Sequence, residues 1–130
     1  MRVLQPEGWP RPRGYVNGIE AQGRMIFVAG QIGWDAEEKF RSSDFGEQFQ
    51  QALLNTLAVL KEASAGPQHI VRMTWFITSR DEYMASLAKL GAAWKELMGR
   101  NYPTMAVIIV SGLVEREAKI EIETTAVIPR

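Results

Sequence analysis

The chain has 130 residues, 46% hydrophobic and 23% charged, the composition of a folded globular protein rather than of a disordered segment. Fifteen Lys and Arg balance fifteen Asp and Glu, so a formal net charge of zero provides no broad electrostatic footprint for nucleic acid or an anionic membrane. The absence of Cys excludes disulfides, thiolate catalysis and most structural zinc sites; with a single His, no metal site is expected, and a Ser-His-Asp triad would have only His69 to use.

A chain of this length buries roughly two-thirds of its unfolded surface without a staple, so one domain is expected over residues 1–130. Residues 1–14 read as an extended N-terminal arm: Pro6, Gly8, Pro10, Pro12 and Gly14 leave residues 5–14 no regular structure. No apolar run approaches a membrane span of about 18 residues and the N-terminus has no hydrophobic signal core, so a cytoplasmic location is expected. Residues 15–20 and 25–29 are β-favouring runs joined by Ala21-Gln22-Gly23-Arg24, which predicts a hairpin. The second run, Met25-Ile26-Phe27-Val28-Ala29, is apolar throughout, so both of its faces need cover, one from helices and the other from a second subunit.

A polar loop follows, and then Asp44 with Glu47 forms a capping-box-like pair. Phe45, Phe49, Leu53, Leu57 and Leu60 continue from it at helical spacing, and Gly66-Pro67 is the expected stop. Residues 70–78 form a β run with Val71, Met73, Trp75 and Ile77 on one face and Arg72, Thr74, Phe76 and Thr78 on the other. The half-polar second face suits a cleft or wet interface, and the Trp75 face is expected to pack between subunits. Ser79 with Glu82 opens a second helix carrying Tyr83, Leu87, Leu90, Trp94, Leu97 and Met98 and ending at Gly99. Residues 105–110 and 119–127 are the last two strands, joined by a charged turn at Glu115-Arg116-Glu117.

The order β-β-α-β-α-β-β predicts an α+β fold, one mixed sheet with two helices on one face. Its other face, rich in Val, Met and Trp, is too apolar to stay wet, and closed homo-oligomerisation is the economical cover.

Few residues carry candidate chemistry. His69, between a turn and a strand, reads as a solvent-exposed loop imidazole. Glu121 and Glu123 share one strand face with Lys119, either a solvated face or the wall of a pocket. Gly30-Gln31 directly follows the apolar strand; it either ends the strand in a plain turn or lets the backbone approach a ligand closely, since Gly has no Cβ. No phosphate-binding glycine motif, glycosidase carboxylate pair, metal-ligand spacing or basic-aromatic track is present.

Tyr15, Ile26-Phe27-Val28-Ala29-Gly30-Gln31, Gln51-Ala52-Leu53-Leu54-Asn55, Ile70-Val71-Arg72-Met73-Thr74-Trp75-Phe76, Tyr102-Pro103 and Lys119-Ile120-Glu121-Ile122-Glu123 resemble the RidA/YjgF family of perchloric-acid-soluble proteins, over residues 13 to 128. The resemblance implies a chorismate-mutase-like fold assembled as a homotrimer around a central barrel, with three clefts between subunits. It also implies hydrolysis of enamine or imine intermediates to 2-oxo acids and ammonia, without metal or cofactor. By the same resemblance Glu121 is the catalytic glutamate that positions the attacking water, Tyr15 is the aromatic wall, and Gly30 and Gln31 border the substrate.

One departure stands out. The family arginine that clamps the substrate carboxylate falls on Met105, within Pro103-Thr104-Met105-Ala106, and Val107 stands where many relatives have cysteine. A thioether cannot replace a bidentate guanidinium, and loss of such an anchor costs about 2–5 kcal/mol. Arg13, beside Tyr15, is the candidate substitute cation, whereas Arg72 matches a basic position common in the family and reads as structural. Three functions follow from this reading: a deaminase of an enamine or imine other than the usual small 2-imino acids, a non-catalytic small-ligand-binding trimer, or an endoribonuclease, which zero net charge disfavours.

Overall fold

A computed structural model describes all 130 residues. Four strands form the main sheet: β3 (Gly23–Ile32), β4 (Ile70–Ile77), β5 (Thr104–Ile109) and β6 (Ile120–Pro129), arranged in the order β3-β6-β4-β5. β6 runs antiparallel to both of its neighbours, and β4 and β5 are parallel, so the sheet is mixed as expected. Helices α1 (Phe45–Lys61), α2 (Arg80–Ala85) and α3 (Leu87–Met98) accompany it. Three helices therefore replace the expected two.

The first helix begins as its sequence dictates. Asp44 has extended backbone, and its carboxylate accepts the Glu47 N–H at 3.0 Å. Glu47 does not return the bond to Asp44; its carboxylate meets the Ser42 hydroxyl instead, and that hydroxyl accepts the Asp44 N–H. The end of α1 precedes the expected Gly66-Pro67 stop. Ser64 takes a left-handed conformation (φ 58°), its N–H donates to Lys61 and the Ala65 N–H donates back to Leu60, a Schellman closure built without glycine. The second helical run divides at Ser86, whose hydroxyl donates to the Glu82 carbonyl at 2.7 Å. That back-bond competes with the helical ladder and bends the chain there.

The expected hairpin between residues 15–20 and 25–29 does not form. A short strand β2 (Gly18–Glu20) pairs instead with β1 (Arg2–Leu4), while β3 pairs along its length with β6. Ten residues of β3 facing the apolar β6 form a far longer ladder than three residues of β2 can provide. Residues 5–14 carry neither helix nor strand, in keeping with their prolines and glycines.

One face of the sheet lies under α1 and α3. Phe49, Leu53, Met73, Ile77, Ile120 and Ile122 are fully buried there, with Trp75 and Trp94 among them. Aromatic rings run through this layer in a ladder: Phe49 to Trp75 at 4.8 Å, Trp75 to Trp94 at 6.0 Å and Trp94 to Tyr102 at 6.1 Å, nearly parallel. This corrects the expectation that the Trp75 face packs between subunits, because the chain's own helices cover it. Gln48, also buried, donates its amide to the Ser42 and Glu117 carbonyls and accepts the Lys119 N–H at 2.8 Å, which seats the start of β6. The opposite face has no helix on it. Phe27 (71% exposed), Met25 (58%) and Ile108 (44%) lie on that side by strand register, beside Phe76, Glu121 and Glu123.

Candidate functional site

The register of the sheet divides the expected site residues into two groups. Met105 pairs with Met73 and Val107 with Trp75, so both project to the helix side. Glu121 pairs with Phe76 and projects to the open side, away from buried Ile120 and Ile122. Within one chain, Met105 and Glu121 stand on opposite faces.

The helix-side group lines a cleft of about 820 Å³ between the N-terminal arm, β4, β5 and the two helices α2 and α3. The Val16 N–H donates to the Pro103 carbonyl at 3.1 Å, which holds the arm beside the start of β5. Arg13, Tyr15, Met105 and Val107 therefore share this cleft. Residues that sequence reasoning did not assign to it join them: Trp75, Tyr83, Leu87, Leu90, Trp94, Lys95, Arg100 and Tyr102. The helical spacing of Tyr83, Leu87, Leu90 and Trp94 signals an apolar stripe, but not which of its members face a cavity. Gly99, with φ 64°, ends α3 and turns the chain so that Arg100 and Tyr102 reach the cleft wall.

Three side chains among these liners are cationic, Arg13, Lys95 and Arg100, and none is acidic. None of the three makes an ion pair within the chain. The indole N–H groups of Trp75 and Trp94 are buried without an acceptor. The cleft is thus aromatic and electropositive, with three cations that no acid of the same chain neutralises.

The open-side group is small. A Cβ on Gly30 would collide with the carboxylate of Glu121, so the missing side chain is what lets that carboxylate lie against the β3 backbone. Here β3 carries a bulge between Val28 and Gln31, which places Gly30 over Glu121. The Gly30 step is therefore a close approach to a carboxylate rather than a plain strand-ending turn. Glu121 is half-buried and has no ion-pair partner in its own chain. Gln31 bonds locally, its amide donating to the Ala29 carbonyl at 3.2 Å.

His69 has a structural role. Half-buried, it accepts the Gly66 N–H through Nδ1 at 3.0 Å and closes the 3₁₀ turn Pro67–His69, which corrects the reading of an exposed loop imidazole. No group of three or more His, Asp or Glu side chains is placed to hold a metal ion. No helix is long and apolar enough to cross a membrane.

An antiparallel-dominated sheet with helices on one face, an open second face and a cleft at the β5 edge defines a chorismate-mutase-like α+β protein. Residues 10–128 match the family model described as Endoribonuclease L-PSP. A RutC family protein of Pyrococcus abyssi is 30% identical over 125 residues, 95% of this chain and 94% of that one. TdcF of Escherichia coli is 29% identical over 130 residues, 97% of this chain and 96% of its own, and bears a name that proposes deamination of reactive intermediates for that protein. Among solved structures, YyfB of Yersinia pestis, described as a Rid family protein of unknown function, superposes with a TM-score of 0.84 at 31% identity over 98% of both chains. The chain belongs to the RidA/YjgF family.

Proposed function

We propose that this protein is a homotrimeric hydrolase of enamines or imines whose active sites form between copies, each joining the Met105 cleft of one chain to the Glu121 carboxylate of the next. The observation that carries this reading is the division of the two groups across the sheet. Each chain holds half a site on each face, and a second copy provides cover for the exposed Met25, Phe27 and Ile108, which stand among Arg72, Glu121, Glu123 and Thr125 on the open face. The name of TdcF supports the reaction class.

In the proposed reaction the imine lies in the cleft with its C=N carbon toward Glu121. The carboxylate accepts a proton from water as the oxygen adds to that carbon, giving a carbinolamine. The proton then passes to the nitrogen, and as the C–N bond breaks the hydroxyl returns its own proton to the Glu121 carboxylate, so that a carbonyl compound and ammonia leave. Gly30 keeps the carboxylate seated, and Tyr15 forms a wall of the cleft. Met105 offers no charge to a substrate carboxylate, so small 2-imino acids are not the preferred substrates.

A second reading, a ligand-binding trimer without turnover, draws on the same Met105, whose thioether packs against the core cluster rather than presenting a charge. An RNA-cleaving activity has no basic track to support it.

Mixing inactive chains tests the proposal. Glu121→Gln and Tyr15→Ala each damage a different half, so each alone should lose ammonia release from freshly generated imines. Trimers reassembled from the two together should regain part of it, because some interfaces pair two intact halves. Absence of recovery in mixed trimers refutes the shared site, and absence of ammonia release by the unmodified protein favours the binder.

A further inference from the structure

We infer that the cleft is built for an anionic ligand with an aromatic or similarly large apolar body, of the aryl-substituted 2-oxo or 2-imino acid class, and that Arg100 and Arg13 hold its carboxylate in place of a cation at position 105. The inference rests on the proposed function for the location of the site and adds the substrate class.

Size is the first argument. In the single chain, before the next copy covers part of it, the cleft measures about 820 Å³, against the ~300–1,000 Å³ of sites that take drug-sized ligands. Wall chemistry is the second. The exposed end of the ring ladder, Trp94 stacked on Tyr102 with 13° between their planes, offers a flat aromatic surface against which another ring stacks. Met105 beside it adds a soft thioether, which favours contact with an aromatic edge.

Charge is the third argument. Arg13, Lys95 and Arg100 line the cleft and make no ion pair within the chain, three cations against the one carboxylate, Glu121, that the proposed site takes from the next copy, so the cleft attracts anions. The two arginines suit planar recognition of a carboxylate better than the lysine does. The left-handed Gly99 and the Asn101 amide, which donates to the Met98 carbonyl at 2.8 Å, fix the backbone on either side of Arg100. An acid with a short side chain would meet the cations and leave the aromatic wall wet. A neutral aromatic would do the reverse.

Titration of the full-length protein with phenylpyruvate, pyruvate and 3-phenylpropanol, followed by tryptophan fluorescence and calorimetry, tests this. Phenylpyruvate should bind at least thirtyfold more tightly than either other probe and should quench tryptophan emission. Arg100→Ala and Arg13→Ala should together weaken phenylpyruvate at least tenfold and leave 3-phenylpropanol unchanged, and Arg100→Lys should restore part of the loss. Pyruvate binding as tightly as phenylpyruvate, or full phenylpyruvate affinity in the double variant, overturns the inference. Phenylpyruvate binding as described in a protein that hydrolyses no imine leaves the inference standing and removes the hydrolase. Hydrolysis without aromatic preference does the opposite.

Discussion

The two faces of the main sheet are made by the same strands and alternate residue by residue, yet they serve different ends. Under the helices, Met73, Ile77, Ile120 and Ile122 are buried to the last atom and Trp75 is locked between Phe49 and Trp94. On the other side Phe27 and Met25 stand in solvent, and Glu121, further along the same face, is a carboxylate with a fitted seat and no partner. A face that stabilises its own chain fills every gap with apolar atoms. A face that leaves large side chains wet and seats an unpaired acid is shaped by something outside that chain.

Substitutions can break this contrast, and the largest effect belongs to the covered face. Trp75→Ala should destabilise the chain by about 3–5 kcal/mol, read as a lower urea midpoint, because the ladder cannot collapse into the space. Phe27→Glu should do the reverse: far-ultraviolet circular dichroism stays native while light scattering falls from about three chains to one, a loss of about 2–4 kcal/mol of association. Native mass in that variant would show that the open face is not the interface. Gly30→Val displaces the Glu121 carboxylate and should reduce imine hydrolysis by about tenfold, roughly 1.4 kcal/mol in the barrier, with secondary structure intact. Unchanged turnover would remove Glu121 from the chemistry.

A smaller effect lies at the start of α1, remote from both faces' special features. Asp44→Ala removes the cap and should cost about 1 kcal/mol, seen in thermal unfolding. The smallest effect is a pH dependence. The Lys89 ammonium, 2.8 Å away, holds the Asp44 carboxyl below its ordinary value, with the Glu47 N–H assisting. Because the folded value is the lower one, the contribution is complete above the ordinary carboxylate range and fades as pH falls below about 4 toward the folded value. Lys89→Ala should flatten acid unfolding in that window at low salt and change little at high salt, since the pair is exposed.

Much of this architecture was legible from the residues. Periodicity and caps located α1, the α2–α3 run, β4, β5 and β6 to within a few positions, because their apolar patterns are long and the helical runs carry Asp44, Ser79 and Gly99 at their ends. The pairing of strands was not legible, since a three-residue run such as Gly18–Glu20 has no local preference for one partner over another. Nor was the break at Ser86, where one hydroxyl redirects an otherwise continuous stripe. Trp75 was assigned to the right strand face and that face to the wrong neighbour; alternation tells which residues travel together, not what covers them. At the site, Glu121, Gly30, Tyr15 and Met105 could be singled out one by one. Their division between faces depends on the Met73–Met105 and Phe76–Glu121 registers, which link segments far apart in the chain.

β6 is made after every other strand of the sheet and yet lies between β3 and β4. A chain emerging from the ribosome can form α1 from local contacts, but β3 has no neighbour in the sheet until β6 arrives. Pairings of such long sequence separation form slowly, and until then the edges of β3 and β4 stand open to other chains. Completion of the sheet is therefore a single closing event, and it delivers Glu121 to Gly30 in the same motion. An incompletely synthesised chain has neither the carboxylate nor the strand that shields its neighbours, so chaperone demand should concentrate in the interval before β6 inserts.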